Sequence, residues 1–250
     1  MNSMIETENL TVGYNDPIIK DICLKLESGK ILTLIGANGS GKSTVLKTIG
    51  GYIKKLGGSV FINGENTDLL SEKDLAKEMS VLLTERVTPR LLTCREVVEM
   101  GRYPYTGRFG MLTEKDRDSV EKAIRSVDIG DIAEREFANI SDGQRQRVML
   151  ASAICRESKI LLLDEPTSFL DIHYKIRFLE TVKNIAENNN TAVVISMHEI
   201  DLARKIADFA VCVKNGRIVY RGEPQEVFSP DIVCDIFDLP KELYRKYFDS

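Results

Sequence analysis

Gly36-Ala37-Asn38-Gly39-Ser40-Gly41-Lys42-Ser43-Thr44 decides the reading of this chain. The stretch fits the pattern G-x-x-x-x-G-K-[ST]. It follows the nearly all-apolar run Ile31-Leu32-Thr33-Leu34-Ile35 and precedes residues 42–49, which read as a helix stopped by Gly50-Gly51. A buried strand, a glycine-rich turn and a helix N-terminus in that order make a phosphate cradle. The glycines let backbone N–H groups converge on phosphate oxygens, and the helix dipole favours negative charge there. Lys42 is placed to neutralise β- and γ-phosphate charge, and Ser43 to offer its hydroxyl to Mg2+. Gly36, Asn38, Gly39, Ser40, Gly41, Lys42, Ser43 and Thr44 are the expected nucleotide-binding set.

The second decisive run lies far downstream. Ile160-Leu161-Leu162-Leu163-Asp164-Glu165 is an apolar strand ending in two carboxylates. A fold built around a phosphate loop needs one acid at such a strand end to hold magnesium, and Asp164 takes that role. The acid directly after it points to hydrolysis, because Glu165 can orient and deprotonate the water that attacks a γ-phosphate.

The rest of the chain fits around these two runs. Strands are expected over 5–14, 22–26 and 59–63, and again, alternating with helices, over 160–163, 192–196, 209–213 and 217–220. That alternation argues a parallel sheet covered by helices. Residues 85–157 read as helical, with Thr93-x-x-Glu96 and Thr113-x-x-Asp116 as capping signals and an amphipathic stretch over 141–153. The expected fold is α/β: a mostly parallel sheet with N-terminal antiparallel strands and an inserted α-helical subdomain. The expected units are 1–84 with 158–250, and 85–157.

Composition removes several classes of function. With 250 residues, a net charge of −4 and a pI near 5.5, the chain lacks the basic footprint of a general nucleic-acid binder, so no direct nucleic-acid partner is expected. Its five cysteines are scattered without a Cys-x-x-Cys, which argues against a zinc site or disulfide framework and suits a reducing cytosol. Apolar runs stop far short of the ~20 residues that span a bilayer, and the N-terminus has no secretory pattern.

At this point the residues resemble the ATP-binding-cassette (ABC) ATPase family, across nearly the whole chain and in the family's order. Ile140-Ser141-Asp142-Gly143-Gln144 is similar to its Leu-Ser-Gly-Gly-Gln signature and lies at a helix start 23 residues before Asp164. Taken alone it reads as a helix N-cap. The resemblance implies that Ser141, Gly143 and Gln144 close over ATP held by a second copy of the chain, in a head-to-tail nucleotide-sandwich dimer. It also implies that His198 contacts the γ-phosphate and links it to Glu165. Asp171, in Ser168-Phe169-Leu170-Asp171, would join the two sites, against the plainer reading of a helix cap. Tyr14 would stack on adenine. His173 matches nothing in the family's order and reads as a helix-face residue.

Two positions depart from the family. Its usual glutamine after the strand preceding the helical subdomain is replaced in Ser80-Val81-Leu82-Leu83-Thr84-Glu85, where Thr84 falls nearest and Glu85 is the other substitute. Asp142 stands where the first signature glycine belongs; a carboxylate facing a γ-phosphate would repel it, so Asp142 is expected to point away.

One cassette without a membrane segment excludes fused exporters. Val97-Val98-Glu99-Met100-Gly101-Arg102-Tyr103-Pro104-Tyr105 resembles the Gly-Arg-Tyr-Pro segment of ATPases serving siderophore, haem and cobalamin uptake, against the plainer reading of a helix ended by glycine and an aromatic surface loop. The resemblance therefore implies a Mg-ATP-hydrolysing subunit of an ABC importer, with ATP and Mg2+ as cofactors. A permease would hold it at the cytoplasmic face of the membrane, and a substrate-binding protein would be an indirect partner. The alternative is a soluble ABC ATPase that remodels a protein or nucleic-acid complex. A P-loop kinase would leave residues 141–144 and His198 without a purpose.

Overall fold

A computed structural model describes residues 3–83, 89, 91–107 and 110–248. Two sheets carry the fold. The first is antiparallel, in the order β2-β1-β4-β5, from β1 (Ser3–Gly13), β2 (Pro17–Glu27), β4 (Gly57–Ile62) and the short β5 (Glu65–Asn66). The second runs β10-β9-β3-β8-β7-β6, from β3 (Ile31–Ile35), β6 (Met79–Leu82), β7 (Ile160–Asp164), β8 (Ala192–Met197), β9 (Phe209–Lys214) and β10 (Arg217–Gly222). It is parallel except for β10, which forms a hairpin with β9. This is the mixed α/β architecture the sequence implies.

The apolar runs lie where both faces are covered. Every residue of β3, β7 and β8 is buried. Successive side chains alternate between two cores: Leu32 and Leu34 join Leu162 and Val194 under the antiparallel sheet, while Ile31 and Ile35 join Leu161, Leu163 and Ile195 on the opposite face. Each such fully buried side chain contributes roughly 1.5–3 kcal/mol.

Helix α1 (Lys42–Ile49) follows β3, and α2 (Glu72–Glu78) precedes β6. Helices α3 (Cys94–Glu99), α4 (Glu114–Ser126) and α5 (Asp142–Cys155) pack together through Val97, Val98, Val120, Ile124, Val148 and Ala151. The remaining helices are α6 (Ile172–Asn189), α7 (Ile200–Ile206), α8 (Pro224–Val227), α9 (Pro230–Ile236) and α10 (Lys241–Phe248). Thr93/Glu96 and Thr113/Asp116 form the capping boxes their spacing predicts, and Ser141/Gln144 forms a third. Helix α2 has no sequence-based expectation: its seven residues bury none of their side chains, so no apolar period marks it.

The Gly-Arg-Tyr-Pro segment is a 3-10 turn over Met100–Tyr105. Glycine is required at 101, where a Cβ would sit 2.2 Å from Ser152 O on α5. The next residue, Arg102, is buried: Nε donates to Asp116 Oδ1 at 2.8 Å, and Nη1 to Cys155 O at 2.9 Å and Glu157 Oε2 at 3.1 Å. Thr84 and Glu85 lie outside the described residues.

Candidate nucleotide-binding site

Parallel pairing places the C-terminal ends of β3, β7 and β8 side by side: Ile35 pairs with Met197 and Asp164 with Ser196. Whatever follows those ends is gathered at one rim, the place where ligands bind in open α/β sheets. After β3 comes the glycine loop, after β7 Glu165, and after β8 His198.

The loop bends tightly. A Cβ on Gly36 would lie 2.4 Å from Val213 O and 2.8 Å from Ser40 Oγ, so no larger residue fits. Asn38 and Gly39 are exposed at its tip, and Gly41 leads into α1, whose first turn buries Lys42 and Thr44. Lys42 Nζ donates to Gly36 O at 2.9 Å and Ala37 O at 3.1 Å, and stands 3.7 Å from Glu165 Oε1 with 3% of its side chain exposed. Burial pushes its pKa down, while the Glu165 and Asp164 charges push it back up. Ser40 Oγ is buried with no hydrogen-bond partner among the described residues. A hydroxyl left so costs ~1–3 kcal/mol, and a phosphate oxygen in the loop would satisfy it.

Ser43 Oγ donates to Asp164 Oδ1 at 2.9 Å. A hydroxyl and a carboxylate side by side are the oxygen donors a hard cation takes, so these residues fit Mg2+. Ser196, fully buried, donates its Oγ proton to Asp164 Oδ1 at 2.8 Å and accepts from Glu165 N at 2.8 Å. That second bond helps hold Glu165 at φ 46°, a left-handed conformation that costs a non-glycine residue ~1–3 kcal/mol. His198 Nε2 lies 2.6 Å from Glu165 Oε1. The expectations include no role for Ser196; its signal is a lone hydroxyl in Ala192-Val193-Val194-Ile195-Ser196-Met197, two residues before His198.

The structure thus brings Lys42, Ser43, Asp164, Glu165 and His198 into one cluster. The other expected residues occupy separate places. Tyr14, on the bend after β1, is 61% exposed. Ser141 is exposed and caps α5: its Oγ accepts from Gln144 N at 3.3 Å while Gln144 Oε1 accepts from Ser141 N at 3.0 Å. Gly143 abuts Phe169 and Leu170, 3.5 Å from an added Cβ. Asp171 caps α6, accepting from Tyr174 N at 3.0 Å. Asp142 pairs with Arg145 at 2.9 Å along its own helix. His173 is an exposed residue of α6, edge-on to the Tyr174 ring.

A glycine loop with a buried lysine, an acid pair at a parallel strand end and a histidine on the second acid define a P-loop nucleoside-triphosphate hydrolase. The family description "ABC transporter" matches residues 19–168. An uncharacterised ABC transporter ATP-binding protein of Methanocaldococcus jannaschii is 44% identical over 250 residues, covering 98% of this chain and 86% of that one. The iron(3+)-hydroxamate import ATP-binding protein of Bacillus subtilis is 35% identical over 244 residues, covering 97% and 90%. A solved dimeric ATP-binding cassette, in a post-hydrolysis state bound to ADP and Pi, superposes with TM-score 0.79 at 26% identity, covering 88% of this chain and 99% of that one. The chain belongs to the ABC transporter family, as an ATP-hydrolysing transporter subunit. Soluble remodelling, the alternative reading, is not favoured by these transporter relatives.

Proposed function

We propose that the chain powers import of an iron chelate or a cobalamin-like compound through a separate membrane permease. The observation that carries the hydrolytic half is the Glu165 carboxylate, 2.6 Å from His198 Nε2 and 3.7 Å from Lys42 Nζ. Glu165 takes a proton from water as its oxygen bonds to the γ-phosphorus; the bond to the β–γ bridging oxygen breaks, leaving ADP and phosphate. Lys42 neutralises phosphate charge and His198 holds Glu165 against the γ-phosphate. Ser43 and Asp164 would hold Mg2+, which would supply neutralisation of phosphate charge.

Two copies sandwich two ATP molecules, with Ser141, Gly143 and Gln144 of one facing the loop of the other, Asp171 joining the sites and Tyr14 stacking on adenine. The dimeric form of the solved relative supports this reading. Residues 85–157 are the helical unit that carries Ser141, Gly143 and Gln144, and 1–84 with 158–250 the core. Thr84 ends the first stretch of the core and Glu85 begins the helical unit. The import names of the Bacillus subtilis relative and of a cobalamin-import relative in Halobacterium salinarum support the substrate class. A groove of about 320 Å³, lined by Tyr52, Leu75, Met79, Val81 and Arg156, suits a permease helix, with exposed Tyr103 on the neighbouring loop. In this reading the permease holds the subunit at the cytoplasmic face and a substrate-binding protein delivers the cargo; among the described residues no helix is long and apolar enough to cross a membrane.

Purification of the tagged chain from detergent-solubilised membranes tests the reading. A polytopic partner whose complex shows chelate-stimulated ATPase is expected. Recovery of soluble partners or nucleic acid alone would refute import and leave the ATPase standing.

A further inference from the structure

Glu199 occupies the N-cap position of α7 but makes no side-chain cap bond to its own helix. Its carboxylate turns toward α6 instead. Oε1 pairs with Lys175 Nζ, and Oε2 accepts from Thr167 Oγ1 at 3.3 Å. Lys175 lies on the first turn of α6, where its own N–H donates to Asp171 O at 2.8 Å. Thr167 is 1% exposed and follows Glu165 by two residues. One half-buried carboxylate therefore ties together the segment after Glu165, the start of α6 beside Asp171 and the residue after His198. Lys175 and Thr167 hold this carboxylate below the usual range against the opposing effect of burial. A charge pair of this kind constrains backbone because both partners are partly withdrawn from water.

We infer that Glu199 is a positioning residue for hydrolysis: paired with Lys175, it fixes the backbone from which His198 reaches Glu165. The inference rests on the proposed roles of His198 and Glu165. It adds that the aim of the imidazole is set from outside the nucleotide site, by a lysine on the helix that Asp171 caps. Movement of α6 at its first turn is thereby transmitted to His198 through a single ion pair.

The test is steady-state ATPase of the purified chain in five forms: wild type, Lys175→Met, Glu199→Gln, His198→Ala and the double variant His198→Ala/Glu199→Gln. ATP affinity is read separately by equilibrium binding. Lys175→Met and Glu199→Gln are each expected to lower kcat fivefold or more, with KM and ATP affinity within twofold. In the His198→Ala background Glu199→Gln should change kcat less than twofold, because the group it positions is gone. A packing role would not depend on His198. A fall in kcat smaller than fivefold for both single variants, or an equal loss with and without His198, overturns the inference. Should Glu199→Gln fail to fold, Lys175→Met alone and combined with His198→Ala gives the same reading. If His198→Ala itself leaves kcat unchanged, the proposed site chemistry fails rather than this inference alone.

Discussion

Arg102→Ala is expected to cost this chain about 4 kcal/mol, and the figure follows from where the guanidinium sits. Only 5% of the Arg102 side chain and 7% of Asp116 is exposed. Removing one partner of a buried ion pair costs ~3–5 kcal/mol, because the other charge is left unpaired in a poor solvent. Here the lower end applies: Asp116 Oδ2 keeps the Thr113 N–H at 2.9 Å and the Thr113 hydroxyl at 2.6 Å, so of its two oxygens only Oδ1 is abandoned, and partly exposed Glu157 and Cys155 O each lose one donor. Loss of the Tyr105 ring, 4.3 Å from the guanidinium, adds ~0.5–1 kcal/mol. At ~2–4 °C per kcal/mol for a chain of this size, Tm falls by about 10 °C.

The assay is urea denaturation followed by far-UV circular dichroism at several pH values. The Thr113 hydroxyl, the Thr113 N–H and Arg102 hold the Asp116 carboxyl below its ordinary 3.8. A depressed carboxylate stabilises the fold above its unfolded pKa, and that stabilisation is lost as pH falls through the folded value. The penalty of Arg102→Ala should therefore be full at pH 7 and shrink below pH 3.8, where the stranded carboxyl takes up a proton. A loss under ~1 kcal/mol at pH 7, the scale of an exposed pair, would refute the buried-pair reasoning.

Glu165→Gln is expected to bind ATP and hydrolyse it at least ~100-fold more slowly, as loss of a general base predicts; near-normal turnover in a phosphate-release assay removes Glu165 from that role. With its carboxylate held by Arg145, Asp142 does not repel the nucleotide, so Asp142→Gly should raise ATP affinity of the dimer by less than tenfold, ~1.4 kcal/mol; a larger gain in equilibrium binding contradicts the pairing. At pH 8 Ellman's reagent should rapidly modify one thiol of the native chain, exposed Cys23, and rapid reaction of more would contradict the burial of Cys94, Cys155, Cys212 and Cys234. Burial pushes the Cys155 and Cys212 thiols up to about 12 from 9.0, so the native state keeps protons that the unfolded chain loses. Stability should accordingly fall above pH 9 by up to ~1.4 kcal/mol per pH unit per thiol, a slope that Cys155→Ala and Cys212→Ala should flatten.

What was legible in the sequence was local. The loop over 36–44 and the acids 164–165 sit beside the strands that carry them, so contiguous residues disclose both the element and its chemistry. The apolar run over 31–35 announces a strand buried on both faces, because side chains alternate and nothing polar interrupts except Thr33. The groups that hold the site in place were not legible. Ser196 reaches Asp164 across 32 positions, Lys175 reaches Glu199 across 24, and Arg102 reaches Cys155 across 53. Such pairs arise from register and packing, which no single window of sequence contains. Residue 199 is one consequence: it stands at the N-cap of α7, yet its carboxylate serves α6.

The capping box at Ser141 raises a question the proposed dimer must answer, since a hydroxyl fully committed to a helix cap would be lost to a phosphate. The two uses do not compete. As cap, Ser141 Oγ accepts from Gln144 N, which occupies a lone pair and leaves the O–H proton to donate. The reciprocal bond, Ser141 N to Gln144 Oε1, consumes a donor that lies outside the helix and an acceptor that a phosphate cannot use. Gly143 N–H, in the first turn, has no carbonyl one turn back within α5, and the helix dipole favours negative charge there. Arg145 pairs with the Asp142 carboxylate and also donates to Ala138 O at 2.7 Å, holding the approach to α5. The cap therefore preorganises the proposed signature surface in the single chain, and closure over a second copy's ATP needs no rearrangement of Ser141.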